Sequence, residues 1–328
     1  MKAIVTGISG QDGYYMAQLL LREGINVIGL ARDPETSRQH FPMPEFEGLE
    51  LEPFDYNENG AFEKIFRKHD PGFIFNFAAK ATGTGMFDAP SEMTRLNGTF
   101  ILDILEAIRN SPDPQRVSFC QASSSEMFGN VQVPQQDEST PFLPKSPYGA
   151  AKVYAHNMVG IYRATYGIKC CSAILYNHES IRRSTQFVTR KIANGAAKIS
   201  LGLQDYLPLG GLEMLRDWGY APEYVRAMYL MARRDTPADY VVATGKLNTV
   251  RRLCEIAFDC VGLNYTDYVR VDANSVRANP SISLHGNPSK IWNELGWQAD
   301  FTIEQVMREM VFHELSTLSK GLDEKSSN

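Results

Sequence analysis

The chain lacks several features that would place it in other classes of protein. It has 328 residues and a net charge of −5, and no segment concentrates Lys and Arg. A broad nucleic-acid-binding surface is therefore not expected. No apolar run approaches the roughly 20 residues that span a membrane, and the first residues enter a strand pattern instead of a signal peptide. We predict neither a nucleic-acid nor a membrane partner.

Cysteine and histidine are both scarce. The five cysteines form no Cys-x-x-Cys pair and are odd in number, which favours free thiols in a reducing, cytoplasmic compartment. The six histidines show no metal-ligand spacing. His178-Glu179 lacks the second histidine that a zinc-binding helix needs, so no metal site is predicted.

The first half of the chain does contain short apolar runs that alternate with amphipathic segments. The runs predict strands at Ala3–Thr6, Asn26–Leu30, Leu49–Phe54, Phe73–Phe77, Arg116–Ala122 and Cys170–Leu175. The segments between them predict one helix that stops at Gly24 and others near 57–69, 91–109 and 147–166. Such alternation is typical of an α/β protein with a doubly wound parallel sheet and helices on both faces.

The pattern loosens after about Tyr176. Helices are predicted near 185–197, 221–233, 249–261, 288–295 and 302–318, and a strand near Tyr240–Ala243 is expected to return to the main sheet. We predict a main domain over 1–176 plus roughly 218–246. A smaller, discontinuous C-terminal substrate-binding lobe would span 177–217 and 247–319, and the polar residues 320–328 are expected to form a disordered tail.

A glycine-rich turn joins the first predicted strand to the first helix. Its Gly-x-x-Gly-x-x-Gly spacing allows a tight turn and a close approach of the backbone to a pyrophosphate, at which the helix aims its N–H groups. The main domain is therefore predicted to be of Rossmann type and to bind a nicotinamide dinucleotide. The loop residues expected to contact it are Gly7, Ser9, Gly10, Gln11, Asp12 and Gly13.

The residues after the next strands extend this predicted cofactor site. Arg32 follows the second strand directly and favours NADP, because an arginine there accepts the 2′-phosphate. Asp33 comes next and leaves NAD open, since a carboxylate bonds the ribose hydroxyl. Asp55, after the third strand, is placed to bond the adenine. The residues placed to line the cofactor after the fourth strand are Phe77, Ala78 and Ala79.

A candidate catalytic pair opens the helix near 147–166. Ser146 is a good N-cap and Pro147 a good first residue, so Tyr148 and Lys152 lie four residues apart on one helix face. A nearby ammonium and a nicotinamide cation are expected to lower the pKa of Tyr148. Its phenolate then takes a proton from a sugar hydroxyl while hydride leaves for the cofactor.

The end of the fifth strand adds two further candidate groups. Ser124 is placed to hydrogen-bond the reacting oxygen beside Tyr148, because ligands bind at the carboxyl ends of parallel strands. Glu126 adds a carboxyl group that simple alcohol oxidation does not need. Dehydration does need one, since a ketone at C4 of a hexose acidifies the proton on C5. A carboxylate removes that proton and the C6 hydroxyl leaves as water.

With these motifs together, the chain resembles the extended short-chain dehydrogenase/reductases, and within them the GDP-mannose 4,6-dehydratases, over about residues 1–318. The stretches that carry the resemblance are 6–13, 121–126, 146–152, 177–180 with Arg182-Arg183, 187–191 and 216–219. The resemblance implies that His178 contacts the cofactor. It also implies a set of contacts to the nucleotide sugar, namely Lys80, Asn177, Val188, Lys191, Arg216 and Arg277.

The resemblance implies a reaction as well. Tyr148, assisted by Lys152, would deprotonate the C4 hydroxyl while hydride moves to NADP⁺. Glu126 with Ser124 would then drive water loss across C5–C6, and the hydride would return to C6. The product would be a GDP-linked 4-keto-6-deoxymannose, with the cofactor regenerated in each turn. A homodimer or homotetramer is expected, because this superfamily pairs through a helix bundle that includes the Tyr148 helix.

Four departures from the family pattern leave alternatives open. Ser124 replaces a threonine, Lys80-Ala81 replaces Gln-Ser, Pro280 replaces a glutamate, and Arg32-Asp33 replaces Arg-Arg. A 4,6-dehydratase of another nucleotide sugar, such as a GDP-linked heptose, is the nearest alternative. A nucleotide-sugar 4-epimerase or reductase is a further one, although neither requires Glu126. The remote alternative is a non-catalytic NADP-binding regulatory protein.

Overall fold

The computed structural model describes residues 1–80, 87, 89–272 and 283–326, with Ala81, Arg277 and Pro280 outside that range. In chain order the strands are β1 (Lys2–Thr6), β2 (Asn26–Ala31), β3 (Leu49–Pro53), β4 (Phe73–Asn76), β5 (Ser118–Ser124), β6 (Cys170–Leu175), β7 (Asn177–Glu179), β8 (Leu207–Leu209), β9 (Leu215–Tyr220), β10 (Tyr240–Val242), β11 (Leu247–Thr249) and β12 (Val269–Val271).

The helices also follow the chain. They are α1 (Gln11–Arg22), α2 (Pro34–Arg38), α3 (Ala61–His69), α4 (Pro90–Thr94), α5 (Phe100–Arg109), α6 (Pro147–Tyr166), α7 (Val188–Ser200), α8 (Ala221–Ala232), α9 (Val250–Asp259), α10 (Tyr265–Tyr268), α11 (Ser289–Leu295) and α12 (Ile303–Ser326). A π-helical turn at Arg95–Thr99 joins α4 to α5, and 3₁₀ turns lie at Pro114–Arg116 and Ser125–Met127.

Seven strands form the main sheet in the order β10-β6-β5-β4-β1-β2-β3, and all their pairings are parallel. The predicted Rossmann-type sheet is confirmed, including the late strand β10, which returns to pair with β6. The strand order reverses between β1 and β4, so the loops that leave their carboxyl ends diverge and open a crevice there.

Apolar residues cover both faces of this sheet because its strands are buried on both sides. In β1, Ala3 and Val5 belong to the core under α1 and α8, whereas Ile4 belongs to the core under α3, α5 and α6. Alternate residues of a strand point to opposite faces, so one strand supplies both cores. Because β1 is buried on both faces, the position of the glycine-rich turn that follows it is fixed relative to the sheet.

A third apolar core lies outside the main sheet. It is built from α7, α9 and α12 beneath a three-stranded sheet, β11-β9-β7, and a two-stranded sheet, β12-β8. The short strands of these two sheets were not predicted, since three-residue strands give no clear period. The last helix was predicted to stop at 318 but continues to Ser326. Residues 320–326 of the expected tail therefore belong to this helix.

All five cysteines are free thiols, and four of them are buried. Among the helices of the described residues, none has the length and apolar character that crossing a membrane requires.

Candidate active site

The glycine-rich turn leaves room for a ligand at the N-terminus of α1. Gly7 has a φ of +64°, and a Cβ there would lie 2.8 Å from the carbonyl carbon and oxygen of Phe77. A Cβ on Gly13 would lie 2.4 Å from the Gly7 oxygen. No side chain caps the helix, which begins at Gln11 after Gly10. Its first N–H groups thus face the crevice, and the turn fits the pyrophosphate of a dinucleotide.

A row of polar side chains fixes the strand ends on either side of the crevice. The Thr6 hydroxyl donates to Asn76 Oδ1, and Asn76 Nδ2 donates to Gln121 Oε1 at 2.7 Å. Thr6 also accepts the N–H of Ala78 at 3.1 Å. These side chains are buried and join β1, β4 and β5 into one rigid edge. Sequence reasoning missed this row because its members are far apart in the chain.

The two charged residues after β2, Arg32 and Asp33, lie in different surroundings. The Asp33 carboxylate caps α2 by accepting the N–H of Thr36 at 3.1 Å and the hydroxyl of the same residue. Arg32 is exposed beside the crevice. The Ser9 hydroxyl donates to the Ser37 hydroxyl at 3.0 Å, which brings the glycine-rich turn against α2. Arg32 therefore stays available to an anion while Asp33 is engaged.

Tyr56, which was not predicted, reaches the same turn from the end of β3. Its hydroxyl accepts the N–H of Gly7 at 3.1 Å. Burial raises the pKa of Tyr56, and the charge of Arg32 opposes that rise, so the guanidinium and the phenol are neighbours. The predicted adenine contact, Asp55, is exposed and accepts the N–H of Asn57 at 2.9 Å. Its carboxylate shapes the local turn.

Helix α6 carries the predicted catalytic pair, and its start is built as the sequence indicated. The Ser146 hydroxyl accepts the N–H of Gly149 at 3.0 Å, and Pro147 is the first helical residue. A Cβ on Gly149 would lie 2.6 Å from the Glu126 carbonyl oxygen. The missing side chain lets the first turn of α6 touch the 3₁₀ turn after β5. The two candidate catalytic segments are thereby brought together.

Four predicted catalytic residues meet at the carboxyl end of β5. Lys152 is buried and its Nζ donates to the Ala122 carbonyl at 2.8 Å, with the Tyr148 ring centroid 5.8 Å away. The Ser124 hydroxyl accepts the N–H of Glu126 at 3.2 Å and also hydrogen-bonds Tyr148. The charge of the Glu126 carboxylate also acts on the Tyr148 phenol, so all four residues belong to one site.

Burial dominates the proton affinities of the pair. It raises the pKa of Tyr148 to about 12, against the hydrogen bond with Ser124, and the charge of Glu126 adds to the rise. Burial lowers the pKa of Lys152 to about 8, against the charge of Asp12. In the chain alone, desolvation of the phenolate outweighs its hydrogen bond, so the pKa of Tyr148 is raised. The lowering expected from an ammonium together with a nicotinamide cation stays a prediction.

His178 lies across the crevice and is tied to α1. Its Nε2 lies 3.0 Å from both carboxylate oxygens of Asp12, and its Nδ1 lies 2.7 Å from the Tyr176 carbonyl oxygen. Gln11 Nε2 donates to the His178 carbonyl at 3.0 Å, and Gln11 Oε1 accepts the Ser180 hydroxyl at 2.8 Å. Two residues predicted to contact a cofactor, Gln11 and Asp12, therefore also bind the strand β7.

The structure brings some of the predicted substrate residues together. Asn177 and Arg216 lie on the neighbouring parallel strands β7 and β9, where Asn177 pairs with Trp218. Arg216 is buried and donates to the Leu215 carbonyl at 2.7 Å. It stands two residues before Trp218, so Arg216 and Asn177 share one face of the sheet.

The remaining predicted substrate residues differ in placement. Val188 is the first residue of α7, and Lys191 lies in its first turn with a half-buried side chain. Lys80 binds the exposed Glu92 of α4 at 2.6 Å and is not gathered with the other substrate residues. Arg277 lies outside the described residues.

Arg183 is a further cation near the catalytic residues. Its Nε lies 3.1 Å from the buried carboxylate of Glu179, and its guanidinium stacks on Phe187 with a centroid distance of 3.5 Å. Its positive charge partly opposes the rise that burial causes in the pKa of Tyr148, and it adds to the lowering of the pKa of Asp12 by His178. The motif Arg182-Arg183 indicated a positive charge here, but its ion pair with Glu179 was not predicted.

One group of possible metal ligands lies away from this site. Atoms of Glu50, Glu52 and His69 lie within 4.8 Å of one another. Glu52 already binds His69 Nε2 at 2.8 Å and also the ammonium of Lys68. These contacts describe an ion-pair cluster at the outer edge of β3.

Comparison with known proteins agrees with this geometry. The family model described as GDP-mannose 4,6 dehydratase matches residues 4–310. GDP-mannose 4,6 dehydratase 2 of Caenorhabditis elegans is 38% identical, over 96% of this chain and 89% of that protein. The GDP-mannose 4,6-dehydratase of Yersinia enterocolitica is 37% identical, over 96% and 94%.

A similar fold is found among solved structures. A dTDP-glucose 4,6-dehydratase from Bacillus anthracis, in complex with NAD, aligns with a TM-score of 0.81 and 18% identity, over 98% of each chain. At that identity the match concerns the fold alone.

Proposed function

Because the chain belongs to the GDP-mannose 4,6-dehydratase family, we propose that it converts GDP-mannose to GDP-4-keto-6-deoxymannose as a carbon–oxygen lyase. The observation that carries the proposal is the meeting of Glu126 with Ser124, Tyr148 and Lys152. An oxidation site needs the last three residues. The added carboxylate supplies the base that water elimination requires.

The chain's residues have separate tasks in this reaction. The Tyr148 phenolate takes the proton of the C4 hydroxyl, and Ser124 holds the same oxygen by a hydrogen bond. Lys152, held by the Ala122 carbonyl, presents a positive charge that favours the phenolate. Glu126 then removes the acidified C5 proton and returns a proton to the leaving C6 hydroxyl. A nicotinamide ring, when bound, would accept the hydride from C4 and later return it to C6.

The cofactor is proposed to be NADP, with NAD as the alternative. Two observations on the segment after β2 support this proposal. Asp33 caps α2, and the exposed Arg32 lies close to Tyr56. Tyr56 bonds Gly7 in the glycine-rich turn, so the guanidinium lies on the side where an adenosine ribose would sit. A planar guanidinium suits the oxygens of a 2′-phosphate.

Replacing Arg32 by Ala should weaken NADP binding by about tenfold or more while leaving NAD binding nearly unchanged. The reason is the loss of a charge-assisted contact that only the 2′-phosphate makes. Isothermal titration with each dinucleotide measures both affinities. Arg67→Ala, which removes an exposed arginine of α3, is the matched control. Equal weakening of both dinucleotides would contradict the proposed role of Arg32.

The reaction is tested by offering the purified enzyme GDP-mannose, other GDP-hexoses, a GDP-heptose, UDP-glucose and dTDP-glucose in separate assays. Mass spectrometry should show GDP-mannose losing one water to give a 4-keto-6-deoxy product, with no net change in the nicotinamide cofactor. Products that are only epimers, or stoichiometric oxidation of NADPH, would reject dehydration. Water loss from a different nucleotide sugar alone would retain the chemistry and reject mannose as the substrate.

A homodimer or homotetramer is part of the proposal. Helix α6 leaves Tyr154, Ile161 and Tyr166 exposed, and exposed apolar groups on one helix favour association. A reducing, cytoplasmic compartment is also proposed, with support from the five free thiols. Light scattering of the purified protein measures the assembly.

A further inference from the structure

The hydrogen bonds of His178 demand more protons than a neutral imidazole carries. Its Nδ1 faces the Tyr176 carbonyl at 2.7 Å, and its Nε2 faces both carboxylate oxygens of Asp12 at 3.0 Å. A carbonyl and an ionised carboxylate can only accept. A neutral imidazole has one N–H, so one of these short contacts would set two lone pairs against each other. A proton on both ring nitrogens satisfies both contacts.

The surroundings of the pair favour the same state. Burial by itself lowers the pKa of His178, but the charge and hydrogen bond of Asp12 outweigh it, and the pKa is raised. Burial by itself raises the pKa of Asp12, but the charge and hydrogen bond of His178, together with Gln11 and Arg183, outweigh burial, and the pKa is lowered. The imidazole also stacks on the Tyr224 ring at 4.8 Å, so the ring is clamped on its face as well as at both nitrogens.

The pair joins the two parts of the molecule that the proposed reaction must bring together. Asp12 lies in the first turn of α1, at the predicted cofactor site, and His178 lies in β7 beside Asn177, a predicted substrate residue. Gln11 adds bonds to the same strand and to Ser180. The link therefore crosses directly from the cofactor helix to the substrate strand.

We propose that Asp12 and His178 are positioning residues, which share a proton as a buried carboxylate–imidazolium pair and so hold β7 in register with the cofactor-binding turn. The proposal rests on the proposed function, since it gives the pair a task in nucleotide-sugar binding. Loss of the proton leaves the link unsatisfied and loosens β7. The affinity for the nucleotide sugar is thereby tied to a protonation state on the cofactor side of the crevice.

The pH range of the link follows from the two directions of shift. The raised pKa of His178 means that the link is complete below about 6.5 and is lost as pH rises through the raised value. The lowered pKa of Asp12 means that the link is lost at the acid end only as pH falls through that lowered value. The charged and titratable groups that face the pair are Arg183, Lys152, Tyr148 and Tyr224.

Two substitutions at Asp12 separate the proton from the contact. In Asp12→Asn the amide N–H donates to Nε2 of a neutral imidazole, whose Nδ1–H remains on the Tyr176 carbonyl, so the contact persists without the extra proton. In Asp12→Ala the contact is lost. We expect the affinity of Asp12→Asn for GDP to be the same across the pH range, and Asp12→Ala to bind GDP about tenfold more weakly than Asp12→Asn at neutral pH.

The proton itself is read directly by NMR of the NADP-saturated protein with ¹³C-labelled histidine, assigned with His178→Gln. The His178 signal should titrate above about 6.5 in the wild type and below that value in Asp12→Asn. GDP affinity, measured by isothermal titration across the same pH range, should fall at the wild-type midpoint and stay level in Asp12→Asn. A neutral His178 in the wild type, or equal GDP binding by Asp12→Ala and the wild type, would overturn the proposal.

The two measurements also distinguish this proposal from the function on which it rests. The histidine titration needs no turnover and no sugar, so it reports on the pair even if GDP-mannose is not converted. If the pair only contributed packing, the variants would have a lower melting temperature, but GDP binding by Asp12→Asn would depend on pH as it does in the wild type. A pH dependence like that of the wild type in Asp12→Asn would therefore contradict a positioning role.

Discussion

The Glu126→Gln enzyme is expected to oxidise GDP-mannose at C4 and then stop, with kcat lowered by about 10²–10⁴-fold. The amide keeps the size and the backbone contact to Ser124 but cannot take the C5 proton. The 4-keto sugar and the reduced cofactor should therefore accumulate on the enzyme. Absorbance of the reduced nicotinamide in a single turnover measures the accumulation.

Glu47→Gln is the matched control for this variant, because it neutralises an exposed carboxylate far along the chain from the site and should behave like the wild type. Wild-type turnover by Glu126→Gln would remove the residue from the mechanism. Loss of turnover without any reduced cofactor would assign Glu126 to the oxidation step and leave the elimination without a base.

The second large effect is expected for Tyr148→Phe, which should lower kcat by about 10²–10⁴-fold and show no reduced cofactor at any time. Without the phenol oxygen, the C4 hydroxyl keeps its proton and hydride transfer cannot begin. The pKa of Tyr148 is raised by burial to about 12 in the chain alone, so its phenolate fraction grows with pH. The wild-type oxidation rate should therefore rise with pH on the alkaline side, and the residual rate of Tyr148→Phe should not.

Tyr206 offers a control for that prediction, because it is exposed and lies outside the helix that carries Tyr148. Tyr206→Phe should keep the wild-type rate and pH profile. A pH-dependent oxidation that survives in Tyr148→Phe would identify another group as the base. Tyr148→Phe and Glu126→Gln together test the order of the steps. Reduced cofactor should build up only in Glu126→Gln, which is blocked after the oxidation.

Much of the main domain follows from sequence, since each strand is a buried apolar run between helices of clear period. The predicted strand over Cys170–Leu175 and the helix over 147–166 match the structure to the residue. Outside the main sheet the helices were predicted near their observed places, but the small sheets were not, because β7 and β11 have three residues each and pair with β9. Long-range pairing of such short strands leaves no local period.

Some residues of the candidate site could be predicted from the sequence and others could not. Residues that belong to local motifs, such as Ser124 and Lys152, could be named because their spacing carries the chemistry. Contacts between distant segments could not, as with Tyr56 on Gly7 or His178 on Asp12. The raised pKa of Tyr148 was missed for a related reason, because burial depends on every element around the ring.

The proposed reaction has one defining feature, the return of the C4 hydride to C6 of the same sugar. GDP-mannose deuterated at C4, incubated with enzyme in ordinary water and analysed by mass spectrometry and NMR, tests it directly. The account predicts that the deuterium is found at C6 of a 4-keto-6-deoxy product. Deuterium left on the released cofactor, or a product that keeps its C6 hydroxyl, would contradict it.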